Sequence, residues 1–97
     1  MPSRWALERF GDCLDRWIER DNPPQDVRLV VTNWVLSRFD DPYQGVRRET
    51  DFDNLWYGTV PSSRHGDEQA VLCSYWISER EHVVVCESIA TLSLPHG

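Results

Sequence analysis

Two hydrophobic periods follow one another along this 97-residue chain, and their order restricts the fold more than any single residue does. Two helix-period stretches come first, the turn-rich Asp40-Asp41-Pro42-Tyr43-Gln44-Gly45 follows, and only strand-like runs remain to the end. An apolar stripe at helical spacing must bury one face of a cylinder, whereas alternation buries one face of a pleated strand. The order predicts an α+β fold: an N-terminal antiparallel helical hairpin packed on one face of a roughly four-stranded antiparallel sheet. A chain of this length makes one domain, 1–97, and buries somewhat more than roughly 60% of its unfolded surface, enough for a core without staples.

Phe10, Cys13, Leu14, Trp17 and Ile18 carry the first stripe, which Ala6 and Leu7 extend one turn back. The second helix is expected to open at Asn22 as N-cap, with Pro23 in the first turn and Gln25 as the capping-box partner. Val27, Val30, Val31, Trp34 and Val35 repeat the helical spacing, Phe39 continues it and Pro42 ends it. The short loop between the stretches makes the helices antiparallel neighbours.

Four strand candidates follow: Val46 to Phe52, Leu55 to Val60, Ala70 to Ile77 and His82 to Leu92. The polar stretch from Pro61 to Gln69 reads as an exposed loop. The last two strands form a hairpin whose symmetric pairing sets Ile77 opposite His82, Tyr75 opposite Val84 and Cys73 opposite Cys86. One face then collects Val71, Cys73, Tyr75, Ile77, Val84, Cys86 and Ala90, the face expected under the helices. The other collects Leu72, Ser74, Trp76, Val83, Val85, Glu87 and Ile89. That mixture is too apolar for a plain solvent face, which makes Leu72, Trp76, Val83, Val85 and Glu87 candidate partner-binding residues. The tail from Ser93 to Gly97 or a second copy of the chain are the other covers for it. Glu87 is also a candidate for a partly buried carboxylate.

Sixteen carboxylates against ten cations, all Arg, leave a net charge of −6. That background repels a polyphosphate and argues against a nucleic-acid partner. Three cysteines without secretory features imply free, buried thiols in a cytoplasmic protein. No CxxC or HxxH spacing supports a metal site, no cofactor motif is present, and no apolar run is long enough to cross a bilayer. Among the histidines, His65 has the company of a general base, flanked by Arg64 and Asp67. Arg47, Arg48 and Arg64 are the candidate cationic cluster, with Glu49, Asp51 and Asp53 beside it as competing partners.

The order of helix, helix, Asp41-Pro42-Tyr43-Gln44-Gly45, a strand opening on Leu55-Trp56, a strand holding Tyr75 and a last strand with Val83-Val84-Val85 resembles the RelE/ParE superfamily of bacterial toxins. The resemblance implies a protein partner, antitoxin-like or self, and in its ribonuclease members a set of cations around the scissile phosphate. Here Tyr57 and Thr59 stand on the strand that is often basic, Val71 and Leu72 stand near the central Tyr, and Ala90-Thr91-Leu92 replaces a Gly-His-Arg-like end. The family's opening edge strand is expected to be absent, because few residues precede the first stripe. The resemblance therefore favours a toxin-like domain that acts by binding a macromolecule. An endoribonuclease using Arg47, Arg48, His65 and Tyr57 is the alternative, and a homodimerisation module is the third reading.

Overall fold

The computed structural model describes residues 4–93, and within them the first apolar stripe divides between two elements. Ala6–Glu8 form strand β1, and helix α1 runs only from Phe10 to Asp21. Arg9, between them, has a left-handed backbone (φ 66) that turns the chain sharply out of one element and into the next. β1 pairs in parallel with Val83, Val84 and Val85, and the amides of Trp5 and Ala6 donate to the carbonyls of Phe39 and His82, each at 3.0 Å. The edge strand expected to be absent is present. Its partners lie more than thirty residues away in the chain, so no local pattern announces it.

Asn22 corrects the helix boundary in the opposite sense. It ends α1 instead of opening the next helix, sitting at φ 44 with its N–H donating to Ile18 O at 2.9 Å. A short polar side chain tolerates that left-handed C-terminal position. Pro24 remains extended (ψ 152), and helix α2 spans Gln25–Ser37. Arg28 closes the corner by donating to Pro23 O (2.8 Å) and Asn22 Oδ1 (3.0 Å).

The sheet contains β1, β2 (Arg47–Arg48), β3 (Leu55–Thr59), β4 (Gln69–Ser78) and β5 (Val83–Ser93), in the spatial order β1-β5-β4-β3-β2. It has five strands and one parallel pair, with both helices on one face. The expected strand from Val46 to Phe52 contracts to Arg47 and Arg48, since turns occupy Thr50 and Asp51. The residues expected on the core face are buried there, from Val71, Cys73, Tyr75 and Ile77 on β4 to Val84 and Cys86 on β5. Phe10, Cys13 and Trp17 of α1 and Val27, Val31 and Val35 of α2 complete the core.

The β4–β5 register differs from the symmetric expectation. Ser78 pairs with Val83, Ile77 with Val84 and Tyr75 with Cys86. His82 belongs to the turn, at φ 57, with its ring stacked on Trp5 at 3.9 Å. Moving the turn by one residue changes every partner yet leaves each residue on its face. A bulge then intervenes: Ser74 pairs with Ser88 while Tyr75 pairs with Cys86, so Glu87 is the extra residue. Beyond it the faces of β5 exchange. Ile89, expected on the outer face, is buried opposite Cys73, and Ala90, expected in the core, turns outward opposite Leu72. Cys73 and Cys86 consequently share a face but lie diagonally instead of opposite each other.

Helix α1 is bolted to β5 by polar contacts at its far end. Trp17 Nε1 donates to Thr91 Oγ1 at 2.8 Å, Arg20 Nη2 to Ile89 O at 2.8 Å, and Thr91 N to Asp21 Oδ2 at 3.0 Å. Burial works against the charge on Asp21, but the Arg20 guanidinium and the Thr91 donors prevail and hold its carboxyl below the usual range. None of the helices is long and apolar enough to cross a membrane among the described residues.

Candidate partner face

Among the described residues no helix covers the second face of the sheet, and residues 94–97 of the tail expected as one of its covers lie outside them. The strand register arranges the side chains of this face in rows. One row runs Leu55, Trp76, Val85 and Glu8 across β3, β4, β5 and β1. The next runs Arg47, Tyr57, Ser74 and Ser88, and the third Thr59, Leu72 and Ala90. The first is apolar until its acidic end. The second is polar, with the Ser74 and Ser88 hydroxyls 2.9 Å apart.

Trp76 anchors the apolar row. Its ring meets Phe52 edge-on at 5.5 Å, and its Nε1 donates to Glu87 Oε2 at 2.9 Å. The bulge produces that second contact by placing an extra residue of β5 beside the indole. Glu87 is exposed, so of its two readings, a partly buried carboxylate or a group at a wet edge, the structure has the second. Leu72, Val83 and Val85 are half-buried, while Phe52 and Leu92 stand 49% and 45% exposed on large apolar side chains.

The residues proposed for catalysis are distributed over three places. Arg47 lines a cavity of about 380 Å³ with Gly45, Tyr57, Gly58, Thr59 and Leu72, so it meets Tyr57 but not the others. Arg48 points to the opposite side of the same short strand, and its Nη1 lies 3.9 Å from Asp53 Oδ1. His65 lines a separate cavity of about 360 Å³ between the α1–α2 corner and the β3–β4 loop, with Asp21, Asn22, Gln69 and Thr91 among its neighbours. Its Nδ1 is 2.8 Å from Ser63 O, a pure acceptor, so Nδ1 carries a proton and donates it there.

A functional-looking residue that the sequence reading passed over is Arg38, only 2% exposed. It follows Val27, Val31 and Val35 at the spacing of the buried stripe, and a charged residue on that stripe was the available signal. Its Nη1 donates to Gln44 O (2.7 Å) and Tyr75 Oη (3.2 Å), while the Tyr75 hydroxyl donates to Pro42 O. The Asp-Pro-x-x-Gly turn is thus clamped between the end of α2 and the central strand. Gly58 admits the turn: a Cβ there would come within 3.0 Å of Gly45 O and Val46 Cγ1.

The three thiols are free and buried. Burial first, then the contact with Cys86, pushes Cys13 up to about 12, and the Cys73 contact with burial raises Cys86 further. Raised in this way, the Cys13 and Cys86 thiols favour the protonated form, which is the poorer nucleophile. No cluster of metal-ligating side chains occurs among the described residues.

No protein-family model and no curated protein matches the sequence. The backbone does have a match: the structure of the E. coli toxin RelE in the free state, as a variant with two arginines replaced by alanine, superposes with a TM-score of 0.61. The fold is that of RelE. The likeness covers 89% of this chain and 81% of the RelE chain at 14% sequence identity. It therefore extends over both the helical layer and the sheet, while residue identities, and with them any site, are not carried across. The RelE-like architecture includes the sheet whose second face is open here.

Proposed function

We propose that this chain is the toxin-like member of a toxin–antitoxin pair, a single cytoplasmic domain that acts by binding a protein partner on the open sheet face. The observation that carries this reading is the row of Leu55, Trp76 and Val85, with Phe52 against Trp76, on a face that no helix covers. Leu72 and Val83 extend the apolar surface and Glu87 supplies a polar rim beside the Trp76 indole. Interfaces draw their energy from such central aromatic anchors with polar surroundings. The RelE-like fold supports the pairing with an antitoxin. The separation of Arg47, Arg48 and His65 into different surroundings supports binding over phosphoryl-transfer chemistry, which needs its charges gathered on one phosphate.

The test expresses the chain with the product of the neighbouring reading frame and measures complex formation, growth inhibition and RNA cleavage in parallel. Trp76→Asp and Val85→Asp should abolish association, because a carboxylate placed in an apolar contact loses its water. Replacing Arg47, Arg48 and His65 with Ala should leave association and growth phenotype unchanged. Loss of activity only in that triple variant, with RNA cleavage by the parent chain, would replace this reading with the endoribonuclease. Self-association lost in the Asp variants, without any second protein, would replace it with the homodimerisation module.

A further inference from the structure

The arginines of this protein show an inverted pairing. Arg4, Arg20 and Arg48 lie 3.6, 3.1 and 3.9 Å from Asp40, Asp21 and Asp53, and all three have side chains at least half exposed. Arg38 is almost fully buried and forms no ion pair among the described residues. Its partners are all neutral. Besides Gln44 O and Tyr75 Oη, they are Ser37 Oγ, 3.3 Å from Nε and 2.9 Å from Nη2, and the Trp34 ring, whose centre lies 4.2 Å from Cζ. These contacts engage Nε, both protons of Nη1 and one of Nη2, which leaves one N–H of the guanidinium unengaged. Asp41 is exposed, and its Oδ1 accepts from Tyr43 N at 3.0 Å.

Hydrogen bonds and the Trp34 ring offset part of the hydration that a buried guanidinium loses, and a carboxylate on the remaining N–H would offset more of it. Arg38 has access to such a group, because it lines a cavity of about 310 Å³ with Trp34, Ser37, Gln44, Gly45 and Pro61. Gly45 also lines the cavity that holds Arg47 and Tyr57. The two hollows therefore share Gly45 in their walls near the β2–β3 edge of the sheet.

We infer that the Arg38 cavity receives one carboxylate side chain, Asp or Glu, from the protein partner, the partner wrapping from the open face round the edge at Gly45. This rests on the partner-binding reading above and adds the chemistry of one contact. A single buried guanidinium neutralises a single anionic group, the Trp34 and Pro61 walls suit the methylene stem of an acidic side chain, and the net charge of −6 disfavours a chain of phosphates.

The experiment is an amide NMR titration of the full chain with N-acetyl-glutamate methylamide, and separately with inorganic phosphate and a short oligoribonucleotide, at constant ionic strength. The glutamate probe should give saturable shifts at the Gln44 and Gly45 amides and the Trp34 indole. Arg38→Gln should abolish these shifts, and in the complex it should weaken the partner by roughly tenfold or more. If Arg38→Gln does not fold, Pro61→Glu decides, since a carboxylate on the rim of the cavity should remove the probe's shifts while the rest of the spectrum stays unchanged. No shift with the glutamate probe, shifts that survive in both variants, or shifts only with phosphate or the oligoribonucleotide would each overturn the carboxylate site. Trp76→Asp separates the two readings. Probe binding retained with partner association unaffected by Trp76→Asp would overturn the open-face reading alone, and association abolished by Trp76→Asp without any probe shift would overturn the Arg38 site alone.

Discussion

Val83, Val84 and Val85 are three identical side chains on one strand, yet only the middle one is fully buried. From Val71 to Ile77 the two faces of β4 differ in the same way. On the helix side, Val71, Cys73, Tyr75, Ile77, Val84, Cys86 and Ile89 are all 3% exposed or less. On the other, Leu72, Trp76, Val83 and Val85 remain half-buried, with Phe52 and Glu87 lying against the Trp76 ring. The comparison teaches that residue type places a side chain on a strand, whereas burial depends on what the topology brings over it. An apolar residue left on the uncovered face still has surface to bury, and that surplus supports binding over catalysis as the role of this face.

Truncating one tryptophan on each face should separate the two faces most widely. Trp17 is completely inaccessible and holds Thr91 through its indole N–H. Trp17→Ala should cost roughly 3 to 5 kcal/mol, a large share of the stability of so small a domain, as read by urea denaturation. A loss no larger than that at Trp76 would show that the faces are energetically alike. Tyr75→Phe comes next: it removes the hydroxyl shared by Pro42 O and Arg38 and strands both under the helices. A loss of about 1 to 3 kcal/mol is expected from the unsatisfied groups. A neutral result would mean that water replaces the hydroxyl and that the covered face is wetter than its burial suggests.

Alkali tests the same network. Burial first, and for Tyr43 the Glu79 carboxylate also, pushes Tyr43 and Tyr75 from 10.0 up to about 12. The folded protein thus keeps phenolic protons that the unfolded chain releases. The associated stability is fully present below pH 10.0 and is lost as the pH rises through about 12. Melting temperature should fall steeply in that window, and Tyr75→Phe should flatten the fall. Trp76→Ala should have the smallest effect on the isolated chain, about 1 kcal/mol or less, because the ring is already half in water. Its effect on partner association should be much larger, and a calorimetric titration of the complex measures that ratio directly.

Much of the architecture was legible because it rests on local periodicity. The stripes of Phe10, Cys13 and Trp17 and of Val27, Val31 and Val35 identified both helices, and alternation from Val71 to Ile77 identified the central strand and its buried face. The errors fall where the deciding partner is remote. Ala6 and Leu7 fit the helical stripe, but the hydrogen bond from Ala6 N to His82 O and the pairing with β5 make them a strand. Asn22 suits either end of a helix, and the two prolines after it decide which.

The candidate site was legible in part for the same reason. Leu72, Trp76, Val83 and Val85 were placed on the uncovered face by parity alone, which survives a register shift of two. Parity does not survive a bulge, so the exchange of Ile89 and Ala90 and the meeting of Glu87 with Trp76 were out of reach. Arg38 was hidden more deeply. By itself the chain determined its two helices, the strands β3, β4 and β5 and which side of β4 faces inward, since these follow from the backbone's periods of 3.6 and 2 residues. Only the tertiary structure decided that β1 joins the sheet in parallel, that Glu87 is the bulge and that a buried arginine with no ion pair among the described residues lies at the end of α2 beside a cavity. Those outcomes depend on contacts between distant segments, whose energies no single stretch of sequence contains.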